Sequence, residues 1–340
     1  MLSQVIWLLV AFIAATVGTG LVRRYALAAS LLDIPNARSS HQLPTARGGG
    51  VAIVIVFLLS LPWLLHLQAI SIAFMWALLG AGGLVATIGF LDDHGHIKAR
   101  WRLLAHFSAA AWGLYCLQGL PALQFFSHTI ELGWLGHILA GFYLVWLLNL
   151  YNFMDGIDGL AGVEGLSACL GGGLLYLLQS SALPHDYALW MLAVAIAGFL
   201  CWNFPPAKIF MGDAGSGFLG IVLGLFSIQA AWVNGQWLWS WLILLAVFIV
   251  DASWTLWRRF RRGENLSEAH RSHAYQKAAR HYHAHKPVTL AVLAINLCWL
   301  LPWALAVALG LVDGFFGMVL AYLPLCWLAY EFRAGEIDQE

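Results

Sequence analysis

The chain alternates long apolar runs with short polar segments over its whole length. About eleven runs approach the roughly 20 residues that a helix needs to cross a lipid bilayer. They are centred near residues 13, 58, 81, 112, 142, 169, 195, 223, 247, 299 and 322. The runs are too long for β-strands and their polar residues do not alternate. Because helices satisfy their own backbone hydrogen bonds in lipid, the pattern predicts an all-α, polytopic membrane bundle of about eleven transmembrane helices.

Composition supports a membrane protein. Hydrophobic residues make up 61% of the 340 residues, charged residues only 10%, and the mean hydropathy is +0.77, whereas soluble domains contain about 25% charged residues. The formal net charge is zero, which gives no general attraction for nucleic acid. The five cysteines lie in apolar runs without a CxxC pair, so we interpret them as packing residues. No repeat interrupts the chain, and we expect a single transmembrane domain over residues 1–340.

The positive charges predict the orientation. The first apolar run, residues 5–22, is followed by Arg23 and Arg24 and preceded by no positive charge, unlike a secretory signal. We expect it to be a retained first span with a periplasmic N-terminus. Alternating crossings then place all 17 lysines and arginines on one side. The positive-inside rule makes that side, with the C-terminus, cytoplasmic.

Six aspartates fall at the cytoplasmic ends of the predicted spans, at positions 92, 93, 155, 158, 213 and 251. A carboxylate deep in a bilayer costs about 2.5–3.5 kcal/mol on insertion scales. Carboxylates gathered at one membrane face beside arginines therefore indicate a catalytic surface. The candidate active-site loops lie near residues 33–50, 92–102, 149–160, 203–217 and 258–287.

Segment 203–217 is a polar island between two apolar runs. It holds Asn203, Lys208 and Asp213 among several glycines. Such a combination is typical of a site that binds a metal ion and a phosphate. The carboxylate and the lysine supply charge, and the glycine backbone can approach a ligand closely. An ordinary turn between two membrane helices explains the glycines and prolines equally well.

The first cytoplasmic loop combines Arg38, His41 and Arg47 with two prolines and three consecutive glycines. Its cationic side chains are candidates for contacts with phosphate. The alternative is a loop that only anchors the chain by its positive charge.

Asp92 and Asp93 directly follow a predicted span. Paired carboxylates can hold a divalent cation. Their repulsion can also raise one pKa and create a base. A solvated helix end is the alternative, because two adjacent aspartates are weak evidence alone.

Asn149, Asn152 and Asp155 are spaced three residues apart and so share one face of a helix. Asp158 follows in the turn to the next span. Helix capping accounts for Asp158, but it does not account for the polar stripe before it.

The largest cytoplasmic segment, 258–287, carries an arginine run and then His270, Arg271 and His273. A His-Arg-x-His loop can hold a diphosphate. The arginines alone would also suit a lipid-surface patch. The histidines alone suggest a transition metal, but no carboxylate or cysteine completes such a set.

In this order, these motifs resemble the bacterial polyprenyl-phosphate N-acetylhexosamine-1-phosphate transferases of the WecA/MraY type. The resemblance rests on Asp92-Asp93, the runs 152–162 and 206–216, and the loop 270–273, and it covers nearly the whole chain. The overall length and the string that begins at His270 look most like the WbpL-like enzymes that initiate O-antigen synthesis.

The resemblance implies transfer of an N-acetylated amino-sugar-1-phosphate from a UDP-sugar to undecaprenyl phosphate, with release of UMP. It implies dependence on Mg²⁺, for which Mn²⁺ can substitute, and a site on the cytoplasmic face of the bacterial inner membrane. A lipopolysaccharide or related glycan would be the product that this step initiates.

The resemblance also implies residue roles. Asp213 and Asn152 would hold the metal, and Asp92, supported by Asp93 and Arg102, would act on the lipid phosphate. The remaining substrate-binding candidates are Asn149, Asp155, Asp158, Asn203, Lys208, His270, Arg271, His273, Arg47 and His41. A covalent intermediate on Asp213 is an alternative, but a metal-bound carboxylate is a poor nucleophile, so we favour direct attack by the lipid phosphate.

Two departures from the family pattern narrow these expectations. MraY enzymes carry three consecutive histidines where this chain has His-Arg-Ser-His, which argues against a muramoyl-pentapeptide substrate. Many relatives have another acid shortly after the Asp-Asp pair, where this chain has His94 and His96. The whole acidic cluster is therefore not expected to bind metal.

Two other classes compete with a transferase. A transporter or channel would place charges near the middle of the bilayer, whereas the predicted carboxylates lie at one face. A noncatalytic scaffold of polysaccharide assembly would not need Asp92, Asp213 and His270 together. The sequence does not identify the sugar that is transferred. It also does not determine the oligomeric state, and a homodimer is one candidate.

Overall fold

The computed structural model describes residues 2–35, 43–95, 97–126, 128–178, 186–265 and 270–336. Helices dominate these ranges. Their bounds are α1 Leu2–Ala28, α2 Val51–His66, α3 Ile72–Ala77, α4 Gly83–His94, α5 Ala99–Leu117, α6 Gly133–Met154, α7 Leu160–Leu178, α8 Asp186–Asn203, α9 Asp213–Val233, α10 Trp237–Leu244, α11 Ala246–Arg261, α12 Ala274–His281, α13 His285–Ile295, α14 Leu301–Ala308 and α15 Gly314–Glu331.

Short elements join or connect these helices. π-helical turns at Leu78–Gly82 and Asn296–Leu300 join α3 to α4 and α13 to α14. Strands β1, Leu32–Asp33, and β2, Thr45–Ala46, pair antiparallel. Strands β3, Leu123–Phe125, and β4, His128–Ile130, form a second antiparallel pair.

The helical prediction is confirmed, and each of the eleven predicted centres falls within a helical element. Among the described residues, seven helices are long and apolar enough to cross a membrane, and the pair α10 and α11, bent by 71°, would make an eighth. The chain is therefore a multi-pass membrane protein. The count of eleven crossings and the direction of the termini stay predictions.

Helix α9 is the central helix of the bundle and is buried along nearly its whole length. It packs against α6, α4, α2 and α7. Glycines permit these approaches, since a Cβ added at Gly220 would lie 2.6 Å from the Cα of Leu148, and one added at Gly50 would lie 2.4 Å from the Cα of Gly215. The first residue of α9 is Asp213, so the packing of the core fixes the position of this carboxylate.

The loop that precedes α2 docks onto the polar island that precedes α9. The amides of Gly49 and Gly50 donate to the carbonyls of Phe210 and Met211 at 2.8 and 2.9 Å, and the amide of Phe210 donates to the carbonyl of Ala46 at 2.8 Å. Two segments about 160 residues apart in sequence are thereby joined through their backbones. This contact brings the end of β2 beside the start of α9.

Candidate active site

Asp93 holds the start of α9 in place. Its carboxylate accepts hydrogen bonds from the backbone amides of Asp213, at 3.2 Å, and Ala214, at 3.4 Å. It also pairs with Arg47, whose Nη2 lies 2.5 Å and Nε 3.0 Å from Oδ1. A carboxylate is favourable at a helix N-terminus, where the first amides lack partners within the helix. Asp93 is thus a positioning residue with its own charge already paired.

Arg102 lies between the carboxylates of Asp92 and Asp213. Its Nη1 pairs with Oδ2 of Asp92 and lies 3.6 Å from Oδ2 of Asp213. Asp92 also accepts the backbone amide of Ile97 at 2.7 Å, and its side chain is only 5% exposed. The Asp213 side chain is 31% exposed, so it is the more accessible carboxylate of the two.

A cavity of about 290 Å³ lies in front of Asp213. It is bounded by α4, α5, α6 and the start of α9. Five sequence-predicted site residues line it together, namely Asp92, Arg102, Asn149, Asn152 and Asp213. Apolar side chains, including Val85, Leu103 and Leu148, line it as well. The cavity therefore combines charged and apolar walls.

The polar stripe at the end of α6 forms one wall. The hydroxyl of Ser216 in α9 donates to Oδ1 of Asn152 at 2.8 Å, whereas Asn149 donates back to the carbonyl of Val145 at 2.7 Å. Asp155 caps α6. Burial raises the pKa of the Asp155 carboxyl well above its usual value, and the charges of Asp213 and Asp93 raise it further.

Two predicted substrate-binding residues, Asp158 and Asn203, brace the loops around the site. Asp158 accepts the amide of Ala207 at 2.9 Å and pairs with His285 at 3.0 Å. Buried Asn203 accepts the amide of Gly159 and donates to the carbonyl of Ile209. These bonds tie residues 158–159 to the polar island.

Lys208 is exposed, and its Nζ lies 5.6 Å from the centre of the Trp202 ring. It does not line the cavity that contains Asp213. His41 lies outside the described residues.

The His270–His273 loop forms a second polar cluster. Asp251 accepts the amides of Ala274 and Tyr275, each at 2.9 Å, and lies 3.3 Å from Nδ1 of His273. These contacts fix the start of α12. A cavity of about 170 Å³ is lined here by Arg259, Arg262, Glu264, His270, Arg271, Ser272 and Glu336.

Phe153 connects the two clusters. It lines the cavity in front of Asp213, and its ring is stacked 6.4 Å from that of His273. The hydroxyl of Tyr275 donates to the Phe153 carbonyl at 2.9 Å. The histidine loop is thus held against the end of α6, next to the first cavity.

The donor set fits a magnesium ion only in part. No group of three or more His, Cys, Asp or Glu side chains in the described ranges could hold a metal ion. Asp213 and Asn152 nevertheless present oxygens to the same cavity. Mg²⁺ commonly takes one or two protein carboxylates and completes its shell with substrate phosphates and water. The residues present fit that mode of binding.

Sequence reasoning missed two contributors to the site. Ser216, which bonds Asn152, was visible only as part of a glycine-rich run. His106 lines the Asp213 cavity but stands in an apolar stretch, where its one available signal was its position four residues after Arg102.

The C-terminal residues brace the histidine loop, and Gly335 is their tightest point. Its amide donates to the carbonyl of Ser272 at 2.7 Å. Its φ is +79°, and an added Cβ would meet the Thr255 carbonyl oxygen at 2.9 Å. We expect Gly335→Ala to destabilise the fold by about 1–2 kcal/mol through φ and by a further ~1–3 kcal/mol through crowding.

Gly310→Ala is the matched control, because φ is +70° there but no atom lies within 4 Å of an added Cβ. The stability of both variants is measured from their denaturation midpoints in detergent. Equal destabilisation by the two substitutions would show that the brace at Gly335 is not tight.

His270 is expected to make the fold sensitive to acid. Burial, aided by the charges of His273 and Arg259, lowers the pKa of His270 from 6.5 to about 3. Between about pH 6.5 and 3, His270 is protonated in the unfolded chain but neutral in the folded chain. The free energy of unfolding therefore falls as the pH drops through this range.

His270→Gln should flatten this dependence, as measured by unfolding midpoints across that range. His281→Gln, at an exposed position, should leave the dependence as in the wild type. An unchanged slope in His270→Gln would contradict the prediction.

Comparison with known proteins gives matches over most of the chain. The model of glycosyl transferase family 4 matches residues 75–231. A probable undecaprenyl-phosphate N-acetylglucosaminyl 1-phosphate transferase of Bacillus subtilis is 28% identical, over 87% of this chain and 83% of the relative. A decaprenyl-phosphate N-acetylglucosaminephosphotransferase of Mycolicibacterium smegmatis is 31% identical, over 84% of this chain and 77% of the relative.

Another relative matches a smaller part of the chain, and its name specifies a different substrate. A phospho-N-acetylmuramoyl-pentapeptide-transferase of Listeria monocytogenes is 27% identical, over 60% of this chain and 65% of the relative. The matched family region contains Asp92, Asp93, Arg102, Asn152 and Asp213.

Proposed function

Because the chain belongs to glycosyl transferase family 4 and transfers a sugar-1-phosphate to a prenyl phosphate carrier, we propose that its donor is a UDP-activated N-acetylhexosamine and its acceptor undecaprenyl phosphate. N-acetylglucosamine is the first sugar to test, since the names of several relatives specify it. The observation that carries the proposal is that Asp92, Arg102, Asn152 and Asp213 line one cavity together with apolar side chains.

The reaction joins two anions, so positioning and charge compensation should supply most of the catalysis. An oxygen of the lipid phosphate forms a bond to the sugar-bearing phosphorus of the donor. The bond from that phosphorus to the bridging oxygen breaks, and UMP leaves with that oxygen. Arg102 lies where it can hold the reacting phosphates, and Asp92 orients the guanidinium through their ion pair.

Asp213 and Asn152 are the residues that would hold Mg²⁺. When bound, the ion would neutralise charge on the diphosphate oxygens. Asp93 and Arg47 keep the start of α9 in register, so that the Asp213 carboxylate stays directed into the cavity. The histidine loop, held against Phe153, is placed to cover the nucleotide sugar.

We place the site at the cytoplasmic face of the inner membrane, because the arginines near it follow the positive-inside bias. Initiation of an O-antigen or another lipopolysaccharide glycan would be the corresponding role. The WbpL-like character of the His270 string supports that role and stays a prediction.

UMP release by purified protein tests the proposal. The donors would be the UDP derivatives of N-acetylglucosamine, N-acetylgalactosamine, N-acetylfucosamine and N-acetylquinovosamine, each with and without undecaprenyl phosphate and with Mg²⁺ or EDTA. Lipid-dependent release that EDTA abolishes is expected for at least one sugar. Folded protein that releases no UMP with any donor would contradict the proposed substrates, and release that survives EDTA would contradict the metal.

A further inference from the structure

His106 lies in the wall of the Asp213 cavity without a role in the reaction described above. It follows Arg102 by four residues in α5, so the two side chains lie on one face of the helix. The spacing sets His106 about 6 Å farther along the helix axis than Arg102. Its neighbours in the wall include the apolar side chains of Leu103 and Leu148. His106 is therefore a polar lining group about one turn beyond Arg102 in α5, beside apolar side chains.

The two ring nitrogens of His106 have different surroundings. Nδ1 is buried and has no hydrogen-bond partner. Nε2 is not among the buried side-chain atoms that lack a partner, and no hydrogen bond of His106 occurs within the described ranges. Since His106 is half-buried and lines the cavity, Nε2 is the nitrogen that reaches the open space.

This difference selects a tautomer. A neutral imidazole has one N–H donor and one acceptor nitrogen. Nδ1 has no partner in either tautomer. With the proton on Nδ1, the accessible Nε2 would be a hydrogen-bond acceptor, which cannot bind a phosphate oxygen. With the proton on Nε2, the ring presents a donor to the cavity without adding a charge to the apolar wall.

We propose that the Nε2–H of His106 donates a hydrogen bond to a phosphate oxygen of the polyprenyl phosphate and holds it for attack on the donor. The inference rests on the proposed function. The lipid phosphate is favoured over the sugar diphosphate because His106 lies on the apolar side of Arg102, where the prenyl chain must leave the phosphate. The diphosphate belongs at the charged end, beside Asp213 and Asn152.

A pair of amide substitutions tests which nitrogen matters. The amide nitrogen of glutamine can take the place of Nε2, whereas that of asparagine takes the place of Nδ1. We expect His106→Gln to stay within about threefold of wild type. His106→Asn and His106→Leu should raise the KM for undecaprenyl phosphate by roughly tenfold or more, the scale of a hydrogen bond to a charged group, with the KM for the UDP-sugar unchanged.

Direct binding provides a readout independent of turnover. Undecaprenyl phosphate binding, measured by native mass spectrometry without a donor, should weaken in His106→Asn and not in His106→Gln. The control is His128→Asn in β4, an exposed histidine outside the cavity, which should change no parameter. If His106→Leu fails to fold, the Asn and Gln variants still decide the question.

Three results would overturn the inference. One is equal kinetics in His106→Asn and His106→Gln. Another is an effect confined to the KM of the UDP-sugar, which would assign the contact to the diphosphate. The third is wild-type lipid binding in His106→Asn and His106→Leu. A wild-type protein without lipid-dependent UMP release would instead contradict the proposed function, so the two failures are distinguishable.

Discussion

Replacing Asp213 with asparagine is expected to lower kcat on the order of 10²–10³-fold or more, the scale seen when one electrostatic contact to a transition state is lost. Asp213 is the accessible carboxylate of the cavity, 31% exposed, and lies 3.6 Å from Arg102. The amide keeps the shape of the side chain but loses the charge that a hard divalent cation prefers. The measurement is kcat for UMP release at saturating concentrations of both substrates.

The control for this substitution is Asp313→Asn. Asp313 also stands at a helix start, where it accepts the amides of Phe315 and Phe316 in α15, but it lies outside the cavity. Its loss should weaken the helix cap slightly and leave kcat unchanged. An Asp213→Asn protein with wild-type kcat would contradict the metal assignment while leaving the family intact.

Gly89→Ala is expected to lower kcat by about 10²-fold or more by displacing the start of α9. Gly89 lies in α4, and an added Cβ would come within 2.5 Å of the backbone nitrogen of Ala214 and the carbonyl group of Asp213. These are backbone atoms, so they cannot move aside as a flexible side chain could. The shift would separate Asp213 from Arg102 and break its amide contact with Asp93, and displacements near 1 Å can cost about 10²-fold in rate.

Gly83→Ala isolates this effect, because Gly83 begins the same helix and no atom lies within 4 Å of a Cβ added there. That variant should keep full activity and gain slight stability, since alanine favours helix by up to ~1 kcal/mol over glycine. Kinetics and unfolding midpoints of both proteins decide the matter. Normal turnover in Gly89→Ala would mean that the α4–α9 contact does not position the site.

The sequence predicted the helical membrane fold because its signal is the length of the apolar runs. It also indicated Asp92, Asn152 and Asp213, as acids and amides at the ends of apolar runs, whereas Arg102 was proposed through the family resemblance. The structure places these four around one cavity. Segments such as 92–102 and 203–217 were found because their polarity contrasts with the runs beside them.

The different contacts that these residues make could not be predicted from the sequence. Asp92 and Asp93 are neighbours, yet one pairs with Arg102 and the other caps α9 and binds Arg47. Their directions depend on how α4 crosses α9, which is set by the contact at Gly89. Local pattern does not encode such a crossing.

Buried polar groups inside the spans were equally hidden. Glu164 in α7 is fully buried and accepts a hydrogen bond from Asn296 at 2.7 Å. The sequence analysis considered only aspartates at the ends of spans, so it did not include this carboxylate. Its partner lies 132 residues away, so only the packed bundle shows this contact.

The most direct test of the central claim, that this cavity transfers a sugar together with its phosphate, follows the phosphorus. UDP-N-acetylglucosamine labelled with ³²P in the sugar-bearing phosphate would be incubated with undecaprenyl phosphate, Mg²⁺ and purified protein, and the lipid would then be extracted. If another UDP-sugar is the active donor, its labelled form takes the same place. The account predicts label in the lipid for the wild type and none for Asp213→Asn, with unlabelled UMP in the aqueous phase. Label that stays in aqueous UDP while the sugar moves to the lipid, or label in the lipid from Asp213→Asn, would contradict it.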